Sequence, residues 1–174
     1  KPVFLERLNE VMQLSHEFYQ LVIPLLKPVD YDAVQRALQR DIDEQKQGIV
    51  FLKQMLAEAD DPDAKERQRL RLEERLNREN WWMEPWLCLL GATGNPAARP
   101  VLLKHLDDPN HQARAGAIDG LGYVYTQEVG DRLAARMKVE MDYLRGNILR
   151  TFGRSGDRSR LPVILSVVEE PTLV

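Results

Sequence analysis

Leu90-Gly91-Ala92-Thr93-Gly94-Asn95-Pro96, Leu121-Gly122-Tyr123-Val124-Tyr125-Thr126-Gln127 and Phe152-Gly153-Arg154-Ser155-Gly156-Asp157-Arg158 are three versions of one turn. Gly91, Gly122 and Gly153 stand 31 residues apart. A fixed period of that length marks a supersecondary unit that cannot bury its apolar face alone and stacks on copies of itself. Each version reads as the end of a helix A, a tight turn and the start of a helix B. Gly94 and Gly156 fall where a left-handed residue ends helix A, a conformation glycine adopts without steric cost, and Tyr125 takes that place in the middle copy. Asn95, Thr126 and Asp157 then fall where helix B needs a side-chain oxygen for its first unpaired N–H groups, and Pro96 follows at a first helical position.

Outward from the turns, the apolar register agrees. Leu87, Ile118 and Leu149 align, as do Leu102, Leu133 and Ile164, and Leu106, Met137 and Val168; these are expected core positions. Gly91, Gly122 and Gly153 sit near the end of helix A, where glycine costs about 1 kcal/mol of helix propensity. Their recurrence points to close approach of a neighbouring helix. The first copy is atypical, with Met83 where the others carry Arg114 and Arg145, and with Pro85 inside helix A, as expected of a junction. Val168-Glu169-Glu170-Pro171 echoes the linker Leu106-Asp107-Asp108-Pro109, so the sequence stops where a fourth unit would begin. The expectation is a longer protein or a last unit packed on a partner.

Before the copies lie three expected helices. Phe4, Leu8, Val11, Met12, Phe18, Leu21, Val22 and Leu25 form an amphipathic stripe ended by Lys27-Pro28. A second helix, capped by Asp30 or Asp32, carries Val34, Leu38, Ile42, Ile49, Leu52, Leu56 and Ala59 and completes a helical hairpin with the first. Pro62 and Asp63 start a third, from Ala64 to Asn77, with Arg67, Arg71, Arg75 and Arg78 on one face. That face is read as solvated and balanced by Glu66, Glu73, Glu74 and Glu79, with an anion-binding stripe as the rival. The expected division is therefore 1–80, helical, and 81–174, three copies.

The 174 residues are 44% hydrophobic, enough for a substantial core, and carry 24 Lys+Arg against 27 Asp+Glu. The net charge of −3 argues against a chain whose main task is to neutralise nucleic-acid phosphate. The longest apolar run, Leu21 to Leu26, is far short of a bilayer span and contains Pro24. Cys88, the single cysteine, sits among Trp86, Leu87, Leu89 and Leu90 and is read as a small buried hydrophobe. The chain begins at Lys1 without a leader's charged and apolar regions, from which we expect upstream residues to have been removed. A cytoplasmic location is the expectation, with secretion or a periplasmic location after processing left open.

The Leu-Gly…Gly-Asp turn, the Asp108-Pro109 linker and the Ala113-Arg114 and Leu144-Arg145 pairs together resemble the short HEAT repeats of the phycobilisome-lyase type, over roughly the second half of the chain. The resemblance implies an all-α, right-handed α-solenoid of stacked antiparallel helix pairs, preceded here by the N-terminal helical hairpin or bundle. It implies less about function, because such repeats serve as adaptors, assembly factors, inhibitors and, more rarely, enzymes. HEAT-repeat hydroxylases bind iron through several His-Glu pairs at helix starts; His16-Glu17 is the only such pair here and lies inside the first expected helix. The segment His105-Leu106-Asp107-Asp108-Pro109-Asn110-His111 holds metal-binding atom types but supplies linker and helix-start residues the unit needs in any case. No phosphate loop, nucleophile elbow or Cys-His pairing occurs.

The expected function is thus a non-catalytic protein-interaction scaffold with no cofactor, metal or catalytic residues. Between Arg132 and Arg160, eight basic residues face three acidic ones. Arg132, Arg136, Arg150, Arg154, Arg158 and Arg160 are candidate contacts for an acidic protein surface or helix, with Trp81 and Trp82 as a possible aromatic anchor. Burial beside Trp86 is the other reading for the tryptophans. The alternatives carried are a bilin-lyase-like or client-chaperone role, on resemblance alone, and nucleic-acid binding through the same basic region. Self-association through the open last unit is a further expectation.

Overall fold

The computed structural model describes residues 30–77 and 83–168, with the side chains of residues 75, 77 and 168 also outside the description. The first expected helix, Trp81, Trp82, Arg78 and Glu169 onward lie outside those residues. Within them the chain is all-α: helix α1 (Tyr31–Glu58), α2 (Pro62–Asn77), α3 (Met83–Ala92), α4 (Ala98–His105), α5 (His111–Leu121), α6 (Gln127–Arg136), α7 (Asp142–Ser155), a short 3-10 turn (Arg158–Arg160) and α8 (Leu161–Val168). No helix among the described residues is long and apolar enough to cross a membrane.

Asp30, not Asp32, caps α1: its Oδ1 accepts from the N–H groups of Asp32 at 2.9 Å and Ala33 at 3.3 Å. The first half of α1 buries Val34, Ala37 and Leu38 in the main core. Asp41, one turn on, accepts a 2.9 Å hydrogen bond from Trp86 Nε1. Burial raises the Asp41 carboxyl above its usual value, against the opposing pull of that bond and of Arg40. Tyr31 also donates to Ala97 O at 3.2 Å. The join between the N-terminal helices and the repeated segment is therefore built around Trp86, which is buried. The second half of α1 packs on α2 instead; Ile49, Leu52 and Leu56 are half-buried there, and Val50 and Phe51 are exposed.

Asp61 starts α2, accepting from Ala64 N–H at 3.0 Å, with Pro62 first in the helix where its missing N–H costs nothing. On this helix Arg67 lies 3.8 Å from Asp61, while Arg69 is clasped by Glu66 and Glu73. Arg69 lies off the expected stripe, and the Arg75 side chain and Arg78 lie outside the described residues.

The three copies supply α3–α4, α5–α6 and α7–α8. Helix α5 packs on α3 and α7 on α5, so the A helices form a series. Gly94 and Gly156 have the expected left-handed φ of 71° and 68°. Thr126 caps α6 by accepting from Val129 N–H at 3.3 Å, and Asp157 caps the 3-10 turn by accepting from Ser159 N–H at 3.0 Å. Asn95 accepts from Ala97 N–H at 2.9 Å. There Pro96 lies in a tight turn, closed by Ala98 N–H on Asn95 O, and α4 itself begins only at Ala98. The aligned core positions Leu87, Ile118, Leu102, Leu133, Leu106 and Met137 are buried, each large side chain contributing about 1.5–3 kcal/mol. In the last copy Leu149 and Ile164 are only partly buried.

The recurring glycines do not play one role. A Cβ on Gly91 would lie 2.1 Å from Gly120 O, so α3 and α5 touch backbone to backbone. Gly116 makes a second such contact, its Cβ falling 2.3 Å from Glu84 O. At Gly122 the nearest atom on α7 is Thr151 Cγ2, at 3.3 Å, and at Gly153 nothing lies within 4 Å. Gly153 has the register of a contact residue and no described neighbour.

Candidate functional site

Several of the basic residues between Arg132 and Arg160, together with Arg114, bracket neighbouring copies together. Arg114, on α5, forks onto Glu140 in the α6–α7 linker, Nε at 2.9 Å and Nη2 at 3.0 Å, while its Nη1 donates to Asp108 O and Pro109 O in the preceding linker. Arg136 donates to the same carboxylate through Nε at 2.9 Å. The Glu140 side chain is 1% exposed. Burial pushes its pKa up, but the two guanidiniums outweigh that and hold it below the ordinary glutamate value. Arg132 is half-exposed and reaches Asp107 at 2.9 Å.

The middle and last copies meet at Asp157. Its carboxylate accepts from Ser159 Oγ at 2.6 Å, Tyr125 OH at 2.9 Å and Arg160 Nε at 3.0 Å. Led by Ser159, these bonds hold the Asp157 carboxyl down at about 2. This accounts for Tyr125 in place of glycine, since its hydroxyl ties the middle turn to the next one. Arg160 is 7% exposed, pairs with Asp131 at 2.7 Å and donates to Gln127 O at 3.1 Å. It is a buried structural cation, which corrects its expected place on a partner-facing surface. Gly130 makes room for the arrangement, because a Cβ there would lie 2.2 Å from Tyr125 OH and 2.7 Å from Arg160 Nε.

Arg150, Arg154 and Arg158 remain, all exposed near the end of the series. Arg154 lies with its guanidinium carbon 4.9 Å from the Tyr123 ring centroid and reaches Asp119 O at 3.4 Å. Arg150 bonds Asn147 on its own helix. Helix α8, which follows, exposes Leu161 at 50% and Leu165 at 55%. The structure thus separates the six candidate arginines into Arg132, Arg136 and Arg160, engaged with carboxylates of the chain, and Arg150, Arg154 and Arg158, gathered at α7 and the following turn.

His105 Nδ1 sits 3.2 Å from Asp108, and the His111 ring meets Tyr143 edge-on at 6.0 Å. No group of three or more His, Cys, Asp or Glu side chains among the described residues is arranged to hold a metal ion. Cys88 is buried and its thiol pushed well up by that burial, which makes it a core side chain, not a nucleophile. A cleft of about 540 Å³ between α6, α7 and α8 is lined mainly by Ala134, Met137, Val163 and Val167, with Lys138 and Arg145 at its polar side. No family model, curated protein or solved structure matches the chain.

Sequence reasoning missed Glu140, Gly116, Gly130 and Asp41. Glu140 carried one usable signal, being one of three carboxylates in a strongly basic run. Gly116 and Gly130 lie outside the shared register, so the periodicity that revealed Gly91 passed over them.

Proposed function

We propose that the chain is a non-catalytic protein-interaction scaffold, built as a right-handed α-solenoid of HEAT-like units, that docks an acidic protein surface or helix. The observation that supports this reading is the end of the series. The last copy carries the exposed cations Arg150 and Arg158 and the exposed apolar side chains Leu161 and Leu165. An apolar surface with a cationic margin suits a partner that offers apolar contact and carboxylates together. Arg132 and Arg136 are instead paired with Asp107 and Glu140 of the chain itself.

The double variant Arg150→Glu, Arg158→Glu tests the reading. Neither side chain bridges two copies, so helicity and thermal stability stay at wild-type levels. Capture of partner proteins from cell lysate, quantified by mass spectrometry, is expected to fall at least tenfold for an acidic partner that the wild-type chain retains in low salt. Equal capture by both chains would remove the site. Gradual loss at higher salt is part of the same expectation, because exposed charges are screened over about 10 Å at 0.1 M ionic strength.

A further inference from the structure

Of the serines and threonines among the described residues, only Ser159 and Ser166 are exposed. Ser166 lies inside α8 and donates to Val163 O at 2.8 Å, held in a helical backbone that does not extend into another enzyme's cleft. Ser159 lies in the three-residue 3-10 turn before α8, and a segment that short opens locally at small cost. The exposed Arg154 and Arg158 precede it and Arg160 follows it directly. Its exposure belongs to the register. The equivalent residues of the first and middle copies, Ala97 and Glu128, are both exposed although another copy follows each of them, so a residue at this place faces solvent whether or not more chain is stacked behind it.

The hydroxyl is also part of the tie between two copies. Ser159 Oγ donates to Asp157 Oδ1 at 2.6 Å and accepts from Gln127 Nε2 at 3.2 Å. The other oxygen of the same carboxylate takes Tyr125 OH and Arg160 Nε. Comparison of the three turns shows how much charge this place carries. The cap and the residue two positions on are Asn95 and Ala97, Thr126 and Glu128, and Asp157 and Ser159. No turn holds more than one negative charge at the pair, and the acid at the second place goes with an uncharged cap.

We propose that Ser159 is a phosphoryl acceptor for a protein kinase that selects basic residues on both sides of the hydroxyl, and that its phosphorylation uncouples the last copy from the middle one. The Oγ attacks the γ-phosphorus of a nucleoside triphosphate. The bond from that phosphorus to the bridging oxygen breaks, the nucleoside diphosphate leaves, and the hydroxyl proton passes to the kinase's own base. The ester has no proton left to donate to Asp157 and sets about −1.5 to −2 charges beside that carboxylate. Like charges so close repel even through water. Asp157 then releases Ser159, and with it the fixed position in which it receives Tyr125 and Arg160.

The full chain is treated with a kinase of that preference and a magnesium nucleoside triphosphate, beside a synthetic peptide of residues 154–164, and the modified sites are mapped by tandem mass spectrometry. Transfer to Ser159 in both is expected. Transfer to the peptide alone, transfer to Ser155 or Ser166 instead, or transfer to neither would overturn the acceptor assignment. The chain phosphorylated at Ser159, obtained from the kinase or by genetic encoding, supplies the second readout. Amide exchange at Ile164 to Val167 is expected to quicken about tenfold. Ser159→Ala, which loses the hydroxyl and gains no charge, should quicken it less. On an Asp157→Asn background, which matches the uncharged cap of the middle copy, the phosphate should also have a smaller effect. Unchanged or slower exchange after phosphorylation, or an equal effect with Asp157→Asn, would overturn the uncoupling.

Discussion

Gly91→Ala is expected to destabilise the chain by about 3 kcal/mol, while Gly153→Ala stabilises it by about 1 kcal/mol. The two glycines occupy the same place in two copies of one sequence unit, so local propensity predicts the same gain for both. The neighbours decide the sign. At Gly91 the new methyl would fall 2.1 Å from Gly120 O and 2.5 Å from its Cα, and backbone on both sides leaves no side chain to swing away. The α3 and α5 axes must separate, opening the contacts of Leu87 and Ile118. At Gly153 the methyl meets nothing within 4 Å, so only the reduced freedom of the unfolded chain and the better helix propensity remain. Urea denaturation of both variants checks this through the midpoints at constant slope.

Glu140→Gln is expected to cost about 3 kcal/mol at neutral pH, near the lower end for breaking a buried ion pair because Arg114 and Arg136 keep some contact with water. The amide keeps the shape but replaces an acceptor for two guanidiniums with one neutral oxygen and an N–H₂ facing cations. The pH dependence follows from the lowered carboxyl. A group whose folded pKa lies below its unfolded value contributes stability that is complete above the unfolded value and disappears as pH falls through the folded one. Wild-type stability should therefore drop on acidification below about pH 5, and that drop should be smaller in Glu140→Gln. Melting curves for the two proteins across that range measure the difference directly.

These two sites show how far the sequence could be read. The turns were legible because their chemistry is local. A left-handed φ asks for glycine, which Gly94 and Gly156 supply, and an exposed N–H pair asks for an oxygen, which Asn95, Thr126 and Asp157 supply. Long-range partners were not legible. Glu140 reaches Arg114 across 26 residues of chain and Asp41 reaches Trp86 across 45, and no periodic pattern ties either pair together. The basic run from Arg132 to Arg160 read as one surface. Burial divides it: Arg160 is enclosed by Asp131, Asp157 and Gln127, whereas Arg150 and Arg158 stay exposed. The shared glycine register correctly marked where helices approach, but Gly153 shows that register alone does not supply a neighbour.

One structural contrast underlies both the stability predictions and the proposed docking site. Helix α5 is covered on two sides, by α3 and by α7, whereas α7 is covered on one and α8 is the outermost helix described. Native-state hydrogen exchange measures that gradient residue by residue, because amides in fully packed helices exchange only through global unfolding and those at an unfinished edge through local opening. The amides of Ala117, Ile118 and Leu121 should exchange slowest, those of Ile148 and Phe152 at intermediate rates, and those of Ile164 to Val167 fastest. Equal protection of α5 and α8, or slower exchange in α8, would contradict that contrast.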